Sequence, residues 1–163
     1  MPRRLIGLAV LLGLFVSFAA AAEPFAIDLE VHSGKASKTA HAESAAPDAK
    51  PAERGVLEIK AGDRVTVQWK LNAADKAKHE DVTVHFFAVK EEQPGQPAPP
   101  KLNKGVVAES ALTMDFGAEA KNEGELTFTI AKPGSYLFRL ETIGAAEGLD
   151  GHEDFAAIDV TAR

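Results

Sequence analysis

The sequence predicts an all-β protein, a two-sheet antiparallel β-sandwich. Apolar and polar residues alternate in short segments from Phe25 to the C-terminus. Turn-forming Gly, Pro, Asn and Asp separate those segments about every ten residues. No stretch carries the i, i+3, i+4 spacing of an amphipathic helix.

Ahead of the strands, residues 1–22 read as a signal peptide. Arg3 and Arg4 form a positive front, an apolar run extends from Leu5 to Phe18, and the small residues Ala19 to Ala22 supply a cleavage site. The run is shorter than the roughly 20 residues that a spanning helix needs, so no stable membrane anchor is expected after cleavage. The Arg pair sits in Pro-Arg-Arg-Leu-Ile, an ordinary positive n-region rather than a developed twin-arginine signal. A periplasmic or secreted location follows.

The first strand is expected at residues 23–32, with Phe25, Ile27, Leu29 and Val31 on one face. Residues 33–54, from Ser33 to Arg54, hold Ala, Lys, Glu, Ser and Pro without a bulky apolar side chain. They have nothing to bury and read as a low-complexity flexible segment. The sandwich core is expected over residues 55–163.

Within that core, Val56 to Lys60 is a short strand, and Ala61-Gly62-Asp63 turns into Arg64 to Asn72. This second segment lines up Val65, Val67, Trp69 and Leu71, which makes Trp69 a core anchor. Asn72 to Glu80 is polar and reads as a loop. Asp81 to Lys90 is apolar on both faces, with Val82, Val84, Phe86 and Ala88 opposed to His85, Phe87 and Val89. It therefore belongs in the middle of a covered sheet, with His85 hydrogen-bonded and partly buried. The proline-rich Glu91 to Lys104 is an extended loop. Gly105 to Phe116 reads as strand-like, Glu125 to Ala131 alternates, and Glu153 to Ala162 is the last strand.

Lys132-Pro133-Gly134-Ser135-Tyr136 opens the strand that runs to Ile143. A tight corner followed by Tyr resembles the corner at which immunoglobulin-like and fibronectin-like sandwiches of exported proteins enter their penultimate strand. The resemblance covers about Val56 to Arg163 and implies an immunoglobulin-like order of strands, with the Tyr hydroxyl bonded back to the chain. A cupredoxin-like barrel without copper ligands is the alternative architecture.

Composition narrows the chemistry. The chain has 18 basic and 24 acidic residues, a formal charge of −6. Loss of Arg3 and Arg4 with the leader makes it more acidic, which argues against nucleic acid as a partner. There is no cysteine. Thiol catalysis, thiolate metal sites, blue copper and disulfides are all excluded, and stability has to come from packing. No nucleophile elbow, H-E-x-x-H helix or phosphate loop is present, so no catalytic residue and no organic cofactor is expected.

One three-residue word occurs twice. His79-Glu80-Asp81 leads into one strand and His152-Glu153-Asp154 leads into the last. In an immunoglobulin-like order these strands enter the same sheet from the same end. Two imidazoles with up to four carboxylates would suit a divalent metal, whether zinc, manganese, nickel or calcium. The same residues can equally do no more than solvate loop mouths. The function expected from sequence is an exported, non-enzymatic binding or accessory domain for a protein or small ligand. The alternatives are a periplasmic divalent-metal-binding protein built on the two triplets and a surface module that oligomerises through a sheet edge.

Overall fold

The computed structural model describes residues 25–42, 54–73, 78–96, 102, 104–117, 120–144 and 152–163. The expected signal peptide lies outside them. Among the described residues there are nine β-strands and no helix. They are β1 Phe25–Ser33, β2 Ala36–Ala42, β3 Gly55–Ile59, β4 Arg64–Ala73, β5 His79–Glu91, β6 Val106–Phe116, β7 Lys121–Thr129, β8 Gly134–Ile143 and β9 His152–Ala162. One sheet has the order β2-β1-β4-β7 and the other β3-β9-β8-β5-β6.

This is a sandwich of immunoglobulin-like order. Strands β1, β4 and β7 form one layer; β9, β8, β5 and β6 form the second, with β3 added beside β9. The β3–β9 pair is parallel, aligning Gly55 with Ile158 and Ile59 with Ala162, so the second sheet is mixed rather than wholly antiparallel. The layers close on each other where β2 meets β3 and β9, and they are joined more sparsely where β7 faces β6, with Asn122 Nδ2 donating to Met114 Sδ at 3.4 Å. An open side of this kind distinguishes the fold from a closed barrel.

Strict alternation builds the core. Phe25, Ile27, Leu29 and Val31 of β1, Val65, Val67 and Leu71 of β4, and Phe86, Phe138 and Ile158 of the facing sheet are all buried. Their rings interlock: Phe86 meets Phe138 edge-on at 6.1 Å and Trp69 lies stacked at 6.1 Å on its other flank. Trp69 is half-buried, and its indole N–H donates to Asn122 Oδ1 at 2.8 Å. A core Trp needs such an outlet for its polar edge.

The corner at β8 has the geometry that the resemblance implies. The Tyr136 hydroxyl donates to the Lys132 carbonyl at 2.7 Å, and Gly134 takes φ +146°, a backbone conformation that side chains rarely allow.

Residues 36–42 depart from the expected flexible segment, because they form β2, paired with β1 from Ile27–Ala42 to Ser33–Ala36. An edge strand is held by backbone hydrogen bonds and needs few apolar side chains; here only Ala40 packs on the core. A two-residue turn makes the hairpin, with Gly34 at φ +60° as its first central residue. Strands β4 and β5 also reach further than expected, to Ala73 and from His79.

Gly124 of β7 faces Trp69 across the β4–β7 pair. A Cβ there would lie 2.0 Å from the indole ring, so the glycine makes room for the Trp. Gly124→Ala should push Trp69 from its stack and cost about 1–3 kcal/mol. Denaturant unfolding followed by fluorescence checks this, since the chain has a single Trp; unchanged stability would mean that β7 moves aside freely.

Candidate functional site

The two outward faces of the sandwich differ in kind. On the four-stranded sheet, polar groups sit in register: His41, Asp28, Lys70 and Glu123 form one row across all four strands. His41 Nδ1 lies 2.5 Å from Asp28 Oδ1, with both side chains more than half exposed. A depression of about 610 Å³ crosses this face, bordered by Trp69 and Gly124. Its charges are solvated and converge on no common point.

The outer face of the five-stranded sheet is instead partly buried. Phe87, Val89, Leu137 and Ala157 form a second apolar cluster there, covered in part by Leu102 and Val106. Ionic groups close off both of its ends.

At one end, Arg54 reaches over β9 and β5 from the residue before β3. Its Nε lies 3.1 Å from Asp159 Oδ1 and its terminal nitrogen 3.4 Å from Glu91 Oε1; the same nitrogen donates to the Gln96 carbonyl at 2.5 Å. Both carboxylates are 3% exposed and Arg54 is 16% exposed. Burial pushes the Glu91 carboxyl up to about 7 against the pull of Arg54, and it raises Asp159 in the same way. One guanidinium thus serves two buried acids while pinning the turn that follows β5.

At the other end, His85 lies between two carboxylates. Its Nδ1 is 3.0 Å from Glu141 Oε1, and its Nε2 is 3.0 Å from Glu109 Oε1. With an acceptor at each nitrogen, the doubly protonated ring is favoured. The hydrogen bond to Glu141 is the largest cause that raises the His85 pKa, and partial burial opposes it. Glu141 also holds Arg139 Nε at 2.6 Å, and the Arg139 guanidinium carbon lies 3.9 Å from the centre of the Phe155 ring. Phe155 is 46% exposed. An ionic chain therefore runs from β6 through β5 and β8 to an aromatic platform on β9.

The repeated triplets lie where the strand order places them. Strands β5 and β9 flank β8 and run in the same direction, so both triplets enter the five-stranded sheet from one end. Phe25 brings them into one neighbourhood. Its ring lies 4.9 Å from that of His79, and its backbone N–H donates to Asp154 Oδ2 at 2.7 Å. Asp154 is 2% exposed. Glu80 pairs with Lys78 at 2.5 Å on the surface, and the Asp81 N–H donates to Asp115 Oδ1 at 3.0 Å. Asp81 takes φ +54° within the irregular start of β5. Among the described residues no three His, Asp or Glu side chains form a group able to hold a metal; the His152 and Glu153 side chains fall outside that description.

No protein-family profile matches the sequence. No curated protein does so either. Solved structures of similar fold include the CARDB domain of PF1109 from Pyrococcus furiosus, at 11% identity and TM-score 0.42, covering 86% of this chain and 96% of that one. The C-terminal domain of wzt aligns at 9% identity and TM-score 0.45, over 86% of this chain and 74% of that one. The PmoD soluble domain from Methylocystis sp. ATCC 49242 aligns at 14% identity and TM-score 0.41, over 82% and 90%. The likeness is one of β-sandwich architecture alone.

The buried charges make stability depend on pH in a definite direction. The folded-state pKa values of Glu91, Asp159 and His85 are all raised. Each group binds its proton more tightly when folded, so its contribution is complete below its unfolded pKa and is lost as pH rises through the folded one. For Glu91 the window runs from 4.5 to about 7. Glu91→Gln should flatten the pH profile of unfolding in that window. Arg54→Met should cost about 3–5 kcal/mol near pH 8, by stranding two buried carboxylates, and markedly less near pH 5, where Glu91 takes up its proton. An equal loss at both pH values would show that the carboxylates do not titrate within the fold.

Proposed function

We propose that this chain is an exported, non-enzymatic binding or accessory domain whose contact surface is the outer face of the five-stranded sheet around Arg139 and Phe155. The observation that carries the reading is the Arg139–Phe155 pair. A guanidinium fixed by Glu141 lies over an aromatic ring that is 46% exposed. Side chains held this firmly lose little entropy on binding, and Arg and aromatic residues are favoured anchors of protein interfaces. Both anchors project from the outer face of a sheet, which suits an extended protein partner better than a small molecule.

Two further points support the reading. Both nitrogens of His85 are engaged by carboxylates, which leaves neither to activate a hydroxyl or a water. The leader at residues 1–22 accounts for export. Expressed in full, the chain should appear outside the cytoplasm with Glu23 at its N-terminus, which N-terminal sequencing of fractionated cells checks. A hydrolase panel should show no turnover that a single side-chain change abolishes. A photo-crosslinker placed beside Phe155 in the exported protein should yield one discrete adduct. Phe155→Ala should remove it while changing stability by less than about 1 kcal/mol. Retention of the adduct in that variant would exclude this face.

A second reading, divalent metal binding at the two triplets, draws on one observation: Phe25 touches His79 and Asp154 together. Calorimetry of dialysed protein with zinc, manganese, nickel and calcium separates it from the first. Uptake should disappear when His79→Ala and His152→Ala are combined, and uptake that survives the pair removes this reading.

A further inference from the structure

Strand β6 is an uncovered edge. Among the described residues it pairs only with β5, and nothing is bonded to its other side. It is eleven residues long and carries two charges, Glu109 and Asp115. Long edges with few charges are templates for further strands, and proteins usually blunt them. The Asp115 carboxylate is turned back to accept the Asp81 N–H, which lowers its power to repel an approaching strand.

The inner face of β6 is also short of cover. Leu112 lies opposite Val84 and Met114 opposite Val82, on the face that looks into the sandwich. Asn122 of β7 reaches Met114, donating to its sulfur at 3.4 Å, but β7 leaves Leu112 uncovered, 55% exposed although Val84 beside it is 4% exposed. Leu126 and Phe128 of β7 are also only partly buried. The opposite side of the sandwich, where β2 meets β3 and β9, shows no such gap.

We propose that β6 pairs antiparallel with β6 of a second copy of this chain, about a two-fold axis through Ala111, so that two sandwiches share one continuous ten-stranded sheet. The strand is complementary to itself in that register. The strand runs from Val106 to Phe116, so Ala111 is its midpoint. Glu109 then faces Thr113 of the second copy, Asp115 faces Val107, Ala108 faces Met114 and Ser110 faces Leu112. No like charges oppose each other, which favours the pairing. An axis through Leu112 would instead set Glu109 against Asp115 twice.

Leu112 and its counterpart become diagonal neighbours on the inner face, within side-chain reach of each other. Both open sides of the sandwich then face a common apolar space. A bulge at Val107 bends the start of β6, so the regular part of the pairing is Ala108 to Met114. The contact is isologous and closes at two copies, which protects the edge from open-ended growth.

Because the chain has no cysteine, the register can be tested directly. Sedimentation equilibrium of the full exported protein should show a reversible monomer–dimer equilibrium. Ala111→Cys should cross-link under a mild oxidant to a disulfide dimer, since residues paired across the axis have Cα atoms roughly 4.5–5.5 Å apart, within disulfide range. Val56→Cys, exposed on the far edge strand β3, should remain monomeric under the same conditions.

Thr113→Lys should tighten the dimer and Thr113→Glu should weaken it by about tenfold, because position 113 faces Glu109 of the second copy. Leu112→Lys should abolish the dimer with an unchanged circular dichroism spectrum. Any of three results would overturn the proposal: a monomer at every concentration, a dimer that Ala111→Cys does not cross-link, or a folded Leu112→Lys protein that associates as the parent does.

Discussion

The register between β5 and β8 is the constraint on which the rest of this structure depends. Both strands are buried on both faces, so their inner residues, Phe86 and Leu140, and their outer ones, Phe87 and Leu137, are all excluded from water. A slip of one residue would turn His85, Arg139 and Glu141 toward the core and strip them of partners. Two-sided burial therefore does more than stabilise the sheet. It aligns His85 with Glu141 and Phe87 with Arg139, and so builds the ionic chain that ends on Phe155.

Much of this could be read from residue order. Period-two alternation located β1, β4, β5 and β9 and grouped the buried residues of β1 and β4 on one face, because a half-buried strand has no other way to arrange its side chains. The doubly apolar segment of β5 identified itself as central. Lys132 to Tyr136 pointed to the corner at β8, since Gly134 and the Tyr hydroxyl each serve one geometric need there. Strand β2 was not visible to that reasoning, because its stability comes from the β1 backbone and its side chains carry no apolar pattern. The turn glycine at position 34 was the one available signal.

The site followed the same division. Alternation assigned His85 to a partly buried face, and its hydrogen-bonded state follows from the structure. Its partners Glu141 and Glu109, like the Arg54 bridge to Glu91 and Asp159, come from segments far apart in sequence that only pairing brings together. The opposite holds for the triplets, whose repetition drew attention before their positions were known. Strand order sets both at one end of one sheet, and there the Asp154 carboxylate accepts the Phe25 N–H while the Asp81 N–H donates to Asp115.

The Phe25 N–H bond to Asp154 joins the first described strand of one layer to the last strand of the other. The ring of Phe25 is wedged between His79 and Phe116, which secures the same point from the β5–β6 side. Force applied upstream of Phe25 would thus pass into β9 and the five-stranded sheet before it could peel β1 from β4. Separating β1 from β4 at this end therefore requires the bond to the last strand of the other layer to break first.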